Sequence, residues 1–126
     1  MDKILFAPDG AEGKAALERT THLCIAAHED DIEFMAFAPI EECFQKSDKW
    51  FCGVVTTDGA GSPRNGIYAD YTDEDMKAIR IEEQKKAAHI GGYGAQILLG
   101  YSSKEVKDKN NDSVVNDYVE ILKATK

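Results

Sequence analysis

Ionisable side chains crowd a short segment in the first third of the chain, directly after an uninterrupted apolar run at residues 23–27. The six positions after this run hold five ionisable residues, namely His28, Glu29, Asp30, Asp31 and Glu33. Taking unpaired charge out of water is costly, so such a cluster would be a poor continuation of a buried core. Imidazole and carboxylate groups are common metal ligands. The segment therefore suggests a metal site.

The spacing within this segment selects two of its residues. If the chain turns helically here, His28 and Asp31 are three positions apart and share one side of the turn, with Cβ atoms about 5–6 Å apart. An imidazole with a single carboxylate suits Zn²⁺ or Fe²⁺ better than Ca²⁺ or Mg²⁺, which prefer oxygen ligands. Asp30 projects elsewhere and would be free to act as a base. A solvated acidic loop with an exposed histidine is the alternative reading of the same residues.

The elements around this segment alternate between short β-like runs and longer helical patterns, which is typical of an α/β layered sheet. Residues 22–27 read as a strand covered on both faces, and ligands of open parallel sheets collect at the carboxyl ends of the strands. Further strands are predicted at residues 50–57 and 95–99, and residues 4–7 could form an edge strand.

Helices are predicted between these strands from caps, stop signals and apolar spacing. Their predicted ranges are residues 13–19, 39–46 and 72–90, followed by a last helix with an apolar face of Val114, Tyr118, Ile121 and Leu122. Residues 59–71 are predicted to form a loop, which could be one wall of a substrate cleft. In a βαβ arrangement a helix leads to another parallel strand, so we expect the last helix to have a successor and the chain to be the front part of a longer domain.

Composition limits the other function classes. A chain of 126 residues suits a single domain. A net charge of −8 disfavours nucleic acids and anionic membrane surfaces as partners. We expect no membrane span and no secretory signal. The three cysteines lie in apolar runs and read as reduced core thiols, so a cytoplasmic protein is the default expectation.

The segment from Ala27 to Glu33 resembles the signature A-H-P-D-D-x-E of the LmbE/PIG-L family of metal-dependent deacetylases, with Glu29 in place of the usual proline. Further family motifs follow in order. The T-x-G after the second strand is matched by residues 57–59, and the helix motif R-x-x-E-x-x-x-A is matched by Arg80, Glu83 and Ala87. The resemblance covers approximately residues 23–101.

The resemblance implies a Rossmann-like three-layer sandwich with a mostly parallel sheet. It also implies a zinc-dependent hydrolase that removes an N-acetyl or other N-acyl group from an amino sugar or glycoside, with Fe²⁺ as an alternative metal. By this likeness His28 and Asp31 bind the metal, Asp30 is the catalytic base, and Arg80 lies in the substrate pocket. Glu33 is expected to support the metal ligands through hydrogen bonds. The chain could also form a homo-oligomer.

The chain departs from the family pattern at the third metal ligand, which the family supplies from a later H-x-x-D-H-like segment. His22 is expected near the opposite end of its strand and His89 near the end of a helix, so neither is a convincing substitute. Ser102 and Ser103 stand where the family often has an aspartate. We therefore expect residues 1–126 to be the N-terminal part of one deacetylase domain, with residues 1–21 a possible family-variable extension.

Three other function classes compete with this hypothesis. A receiver-like signalling module would bind Mg²⁺ through Asp30 and Asp31, but no aspartate ends the third predicted strand. A dinucleotide-binding domain needs a glycine-rich first turn, where this chain has acids that would repel pyrophosphate. A catalytically inactive fragment or relative would follow from the missing ligand, because catalytic zinc sites ordinarily use three protein ligands.

Overall fold

The computed structural model describes residues 3–28, 31–60, 66 and 69–125. Four strands form one sheet. They are β1 (Ile4–Phe6), β2 (His22–Ala26), β3 (Phe51–Thr57) and β4 (Ala95–Tyr101). The strands predicted at residues 22–27, 50–57 and 95–99 are confirmed to within a few residues, and the edge strand near the start of the chain is also present.

The strand order in the sheet is β1-β4-β3-β2. β2 pairs with β3 and β3 with β4 in parallel, whereas β1 pairs with β4 antiparallel. The expectation of a mostly parallel sheet therefore holds for three strands, and the sheet as a whole is mixed. Residues 4–18, which fall within the predicted extension, contribute an edge strand and a helix to this same sheet and its packing.

Six helices lie in the described part of the chain. They are α1 (Gly13–Glu18), α2 (Asp31–Met35), α3 (Phe37–Cys43), α4 (Asp73–Ile90), α5 (Ser103–Lys107) and α6 (Ser113–Thr125). The helix predicted at residues 39–46 is α3, which begins two residues before Pro39; proline is tolerated there because the first turn leaves its backbone nitrogen without a helical partner. Neither α2 nor α5 stood out in the sequence as a separate helix, and each has only five residues. None of the described helices is both long and apolar enough to cross a lipid bilayer.

Alternate residues of the buried strands face two separate cores. Phe51 and Val55 of β3 pack with residues of α2, α3 and α4 on one face of the sheet. Cys52 and Val54 of the same strand pack with residues of α1 and α6 on the other face. Because successive side chains of a strand point to opposite sides, one continuous apolar run supplies both cores. The sheet is therefore covered by helices on both faces.

The ends of α4 are fixed by the predicted signals. The Thr72 hydroxyl accepts a hydrogen bond from the Asp75 backbone N–H at 3.1 Å, and the Asp75 carboxylate accepts one from the Thr72 N–H at 3.0 Å. This capping box holds the pKa of Asp75 below its usual value. At the other end Gly92 has φ of 66°, a left-handed conformation that glycine adopts without steric cost. The helix predicted at residues 72–90 is thus confirmed.

Candidate functional site

The predicted metal site lies at the carboxyl end of β2, beside the end of β3. The carbonyl oxygen of Ala27 accepts two hydrogen bonds from Thr57, one from the backbone N–H at 2.9 Å and one from the hydroxyl at 2.8 Å. His28 follows Ala27 directly, and α2 begins at Asp31. The parallel pairing of β2 with β3 therefore fixes the backbone from which the imidazole projects.

The side chains of His28 and Asp31 lie close together. The imidazole Nδ1 of His28 lies 3.5 Å from Oδ2 of Asp31, and the same oxygen accepts a hydrogen bond from the His28 backbone N–H at 3.2 Å. Both side chains are open to solvent, with exposed fractions of 60% and 43%. One imidazole nitrogen and one carboxylate thus face the same region of solvent.

The separation of these two atoms suits a zinc ion. Zinc ligands lie about 2.0–2.2 Å from the metal, so two ligands at a tetrahedral angle are about 3.3–3.6 Å apart. The observed 3.5 Å falls in this range. The two side chains also match an ordinary i,i+3 ion pair, and this interpretation requires no metal.

Further metal donors do not join this pair in the described part of the chain. No group of three or more histidine, cysteine, aspartate or glutamate side chains suited to a metal occurs among the described residues. His22 is at the far end of β2, where its Nδ1 contacts the Thr21 hydroxyl at 2.8 Å and the Cys43 thiol at 3.3 Å. His89 is exposed in the last turn of α4. Asp30, the predicted base, lies outside the described residues.

Arg80 projects from the middle of α4. Its Nη1 atom lies 3.5 Å from Oε2 of Glu83, which is the ion pair expected from the helical spacing of these residues. The Arg80 side chain is largely buried, with 21% of it exposed. A role for this guanidinium in the substrate pocket stays a prediction. Most of the predicted cleft loop, residues 61–65 and 67–68, lies outside the described residues.

Glu33 connects α2 to α4 and the sheet. Its Oε1 atom accepts a hydrogen bond from the Gln84 side-chain amide at 3.2 Å, and that amide also lies 3.2 Å from Oε1 of Gln96 in β4. Gln84 and Gln96 are fully buried. The Glu33 carboxylate adds to the effect of burial in raising the pKa of Tyr93 and of Cys24. We call Glu33, Gln84 and Gln96 the buried amide network.

Sequence patterns did not predict the part that Gln84 and Gln96 play in this network. Glutamine is usually exposed, so Gln84 within a charged helix and Gln96 at the start of a strand read as ordinary polar positions. Only the packing of α4 on the sheet shows that these amides meet. The signal that could have found them is the occurrence of a glutamine inside the otherwise apolar run at residues 95–99, because a buried amide needs a hydrogen-bonding partner.

The fold and the site together define an α/β protein with a histidine and an aspartate side by side near the carboxyl end of a parallel strand. A profile for PIG-L, described as GlcNAc-PI de-N-acetylase, matches residues 23–126. The chain therefore belongs to the PIG-L family, which confirms the resemblance seen in the sequence. No curated protein and no solved structure matches the chain.

Proposed function

We propose that this chain is a metal-dependent hydrolase that removes an N-acetyl group from an amino sugar or glycoside. The observation that carries this proposal is the approach of His28 Nδ1 to Asp31 Oδ2, 3.5 Å apart, at the carboxyl end of β2. The family name supplies the substrate class, because PIG-L is described as a de-N-acetylase of an N-acetylglucosamine compound. Within the sheet, β2, β3 and β4 are the Rossmann-like parallel part of the proposed fold.

His28 and Asp31 are the residues that would hold the metal. Zinc, when bound, supplies a Lewis acid that polarises an amide carbonyl and lowers the pKa of a water molecule to about 7. Fe²⁺ is compatible with the same two ligand types. Asp31 is already oriented for this role, because the His28 backbone N–H donates to its carboxylate.

The other predicted residues have separate tasks in this proposal. Asp30 accepts a proton as water attacks the amide carbonyl, which is general-base catalysis. Arg80 binds the substrate and places positive charge near the developing oxyanion. Glu33 acts at a distance from the substrate: its hydrogen bond from Gln84 holds α2, and with it Asp31, against α4.

The number of ligands determines how tightly the metal should bind. The described residues offer two donors, whereas catalytic zinc sites ordinarily use three. We therefore expect zinc to bind weakly to His28 and Asp31 alone and more tightly when a third donor is available. An inactive relative of the family would bind zinc equally weakly and release no acetate.

The receiver-like alternative has no observation in its favour. Its phospho-acceptor chemistry would call for an acid at the carboxyl end of β4, where Ser102 instead caps α5 by accepting a hydrogen bond from the Glu105 backbone N–H at 3.1 Å. The family match adds to this argument.

The proposal is tested by measuring acetate release from an N-acetylglucosamine glycoside together with zinc affinity. His28→Ala and Asp31→Ala are each expected to weaken zinc binding at least about tenfold, since each removes one of two ligands. His89→Ala and Asp48→Ala, at exposed positions outside the site, are matched controls that should bind zinc like the parent chain. Equal zinc affinity in all five proteins, or no acetate release from any of them with zinc present, would overturn the proposal.

A further inference from the structure

The short helix α2, which begins with Asp31, is held in place by its contacts with the rest of the fold. A helix of five residues is marginal by itself in water, so its orientation depends on packing. Ile32 is fully buried, whereas Phe34 and Met35 are exposed. Ile32 packs α2 onto the sheet, and Glu33 links it to α4. Both contacts act on the residues directly after the predicted metal ligand.

The buried amide network is satisfied in one orientation of its two amides. The Gln96 Nε2 atom donates to the carbonyl oxygen of Ile97 at 3.1 Å, which leaves Gln96 Oε1 to accept from Gln84. An ionised carboxylate only accepts hydrogen bonds, so Gln84 must turn its amide nitrogen towards Glu33. Reversing either amide would set donor against donor or oxygen against carboxylate. Each group in the network therefore fixes the orientation of the next.

Gln84 holds this orientation at a cost to its own carbonyl group. The side chain is 1% exposed, and its Oε1 atom has no hydrogen-bond partner among the described residues. A buried acceptor without a partner is unfavourable and rare in native proteins. An apolar side chain would fill this position more favourably if packing were its only role. The amide is therefore better explained by the hydrogen bond that it donates to Glu33.

Gly53 in β3 leaves the space that the network and α2 occupy. A Cβ atom added to Gly53 would lie 2.7 Å from Oε1 of Gln96 and 3.0 Å from Cδ1 of Ile32. The first distance is too short for a side-chain carbon, and the second requires the isoleucine to move. The φ angle of Gly53 is not positive, so the backbone conformation does not call for glycine here. The close approach of Gln96 and Ile32 explains this glycine.

We infer that Gln84 and Gln96 are positioning residues for the candidate metal site. They hold Glu33 in one place, and Glu33 fixes α2 so that the Asp31 carboxylate stays beside His28. The inference rests on the proposed function for the identity of the metal. A change in the network is expected to alter the metal site although it touches neither ligand.

The first test uses the protein without metal. The His28 backbone N–H donates to Asp31 Oδ2, so the chemical shift of this amide proton reports where the carboxylate lies. Gln84→Leu and Gln96→Leu are each expected to change this shift. Val114→Ala opens space in the core on the other face of the sheet; it is the control for lost stability and should keep the parent's shift. An unchanged shift in both glutamine variants, or an equal change in the control, would overturn the inference.

The second test is zinc affinity, measured at a temperature at which every variant is folded. Gln84→Leu and Gln96→Leu should each bind zinc about tenfold more weakly than the parent, as is usual when a group that supports a metal ligand is removed. Val114→Ala should bind zinc like the parent, because lost stability alone does not move the ligands of a folded chain. Parent-like zinc affinity in both glutamine variants would overturn the inference.

Gly53→Ala disturbs the network without removing a hydrogen-bonding group, and it tests the inference even where the glutamine variants fail to fold. Its Cβ atom should displace Gln96 or Ile32, weaken zinc binding several-fold and change the His28 amide shift. Cys52→Ala, at the adjacent position of β3, changes a side chain that faces the other core. It is the matched control and should behave like the parent. Equal behaviour of the two alanine variants would overturn the inference.

The zinc-free spectra separate this inference from the proposed function. Changes of the His28 amide in the network variants, in a chain that binds no zinc and releases no acetate, would support the positioning role and overturn the deacetylase proposal. Zinc binding and acetate release by the parent, with the His28 amide and the zinc affinity unaltered in the network variants, would support the deacetylase proposal and overturn the positioning role.

Discussion

We predict that the buried amide network stabilises the fold, because the Gln84 side chain contacts both Glu33 and Gln96. Gln84→Leu introduces an apolar side chain of similar size and removes the amide that donates to Glu33 and lies against Gln96. A hydrogen bond to a charged group contributes about 1.5–3 kcal/mol and a neutral one about 0.5–1.5 kcal/mol. The full sum is an upper bound, since one amide serves both oxygens. We therefore expect the free energy of unfolding to fall by about 1.5–3 kcal/mol, less than the full sum of about 2–4.5 kcal/mol.

The assay is urea unfolding of four proteins: the parent, Gln84→Leu, Glu33→Leu and the double variant. If the hydrogen bond between these side chains carries the effect, the double-mutant cycle should give a coupling energy of about 1–3 kcal/mol. Lys86→Leu, at an exposed position on the same helix, is the control and should change stability by no more than about 0.5 kcal/mol. A coupling energy near zero, or a Gln84→Leu protein as stable as the Lys86→Leu control, would refute this account of the network.

Two further predictions concern a buried thiol and a helix cap. Burial raises the pKa of Cys52 from 9.0 to about 12, so above pH 9 the unfolded chain loses this proton while the folded chain keeps it, and stability falls. The free energy of unfolding should fall by about 2 kcal/mol by pH ~10.5 through this group. In Cys52→Ala, the free energy of unfolding should depend less on pH in this range. An unchanged pH dependence in this variant would contradict the effect of burial. Thr72→Ala removes the hydroxyl that accepts from Asp75 and should cost about 1 kcal/mol in thermal unfolding, whereas Thr72→Ser should cost much less. Equal losses in both variants would exclude the cap as the cause.

Local interactions account for most of what the sequence predicted. α4 was predictable because Thr72, Asp75 and Gly91 are signals read within a few residues of the helix ends they mark. The approach of His28 to Asp31 was predictable for the same reason, since an i,i+3 pair needs only one turn of helix. The five-residue helices α2 and α5 were missed because a periodic apolar pattern needs more residues than they contain.

Contacts between distant parts of the chain could not be read from the sequence. The antiparallel pairing of β1 with β4 joins residues more than ninety positions apart, as in the pair Ile4 and Leu98, and no local signal sets its direction. The partly buried ion pair between Lys3 and Asp117, with nitrogen and oxygen 2.7 Å apart, spans almost the whole chain. Asp117 also accepts a hydrogen bond from the buried Tyr101 hydroxyl. The spacing of residues within α6 does not predict the contacts of Asp117 with Lys3 and Tyr101.

The proposed function requires that one divalent cation binds His28 and Asp31 together. The most direct measurement is ¹⁵N NMR of the histidine side chains during a zinc titration. We expect a change at Nδ1 of His28 that is much larger than any change at His22 or His89, and that is lost in Asp31→Ala at the same zinc concentration. Zinc-dependent changes at His22 or His89 with His28 unaffected, or an unaltered His28 response in Asp31→Ala, would contradict it.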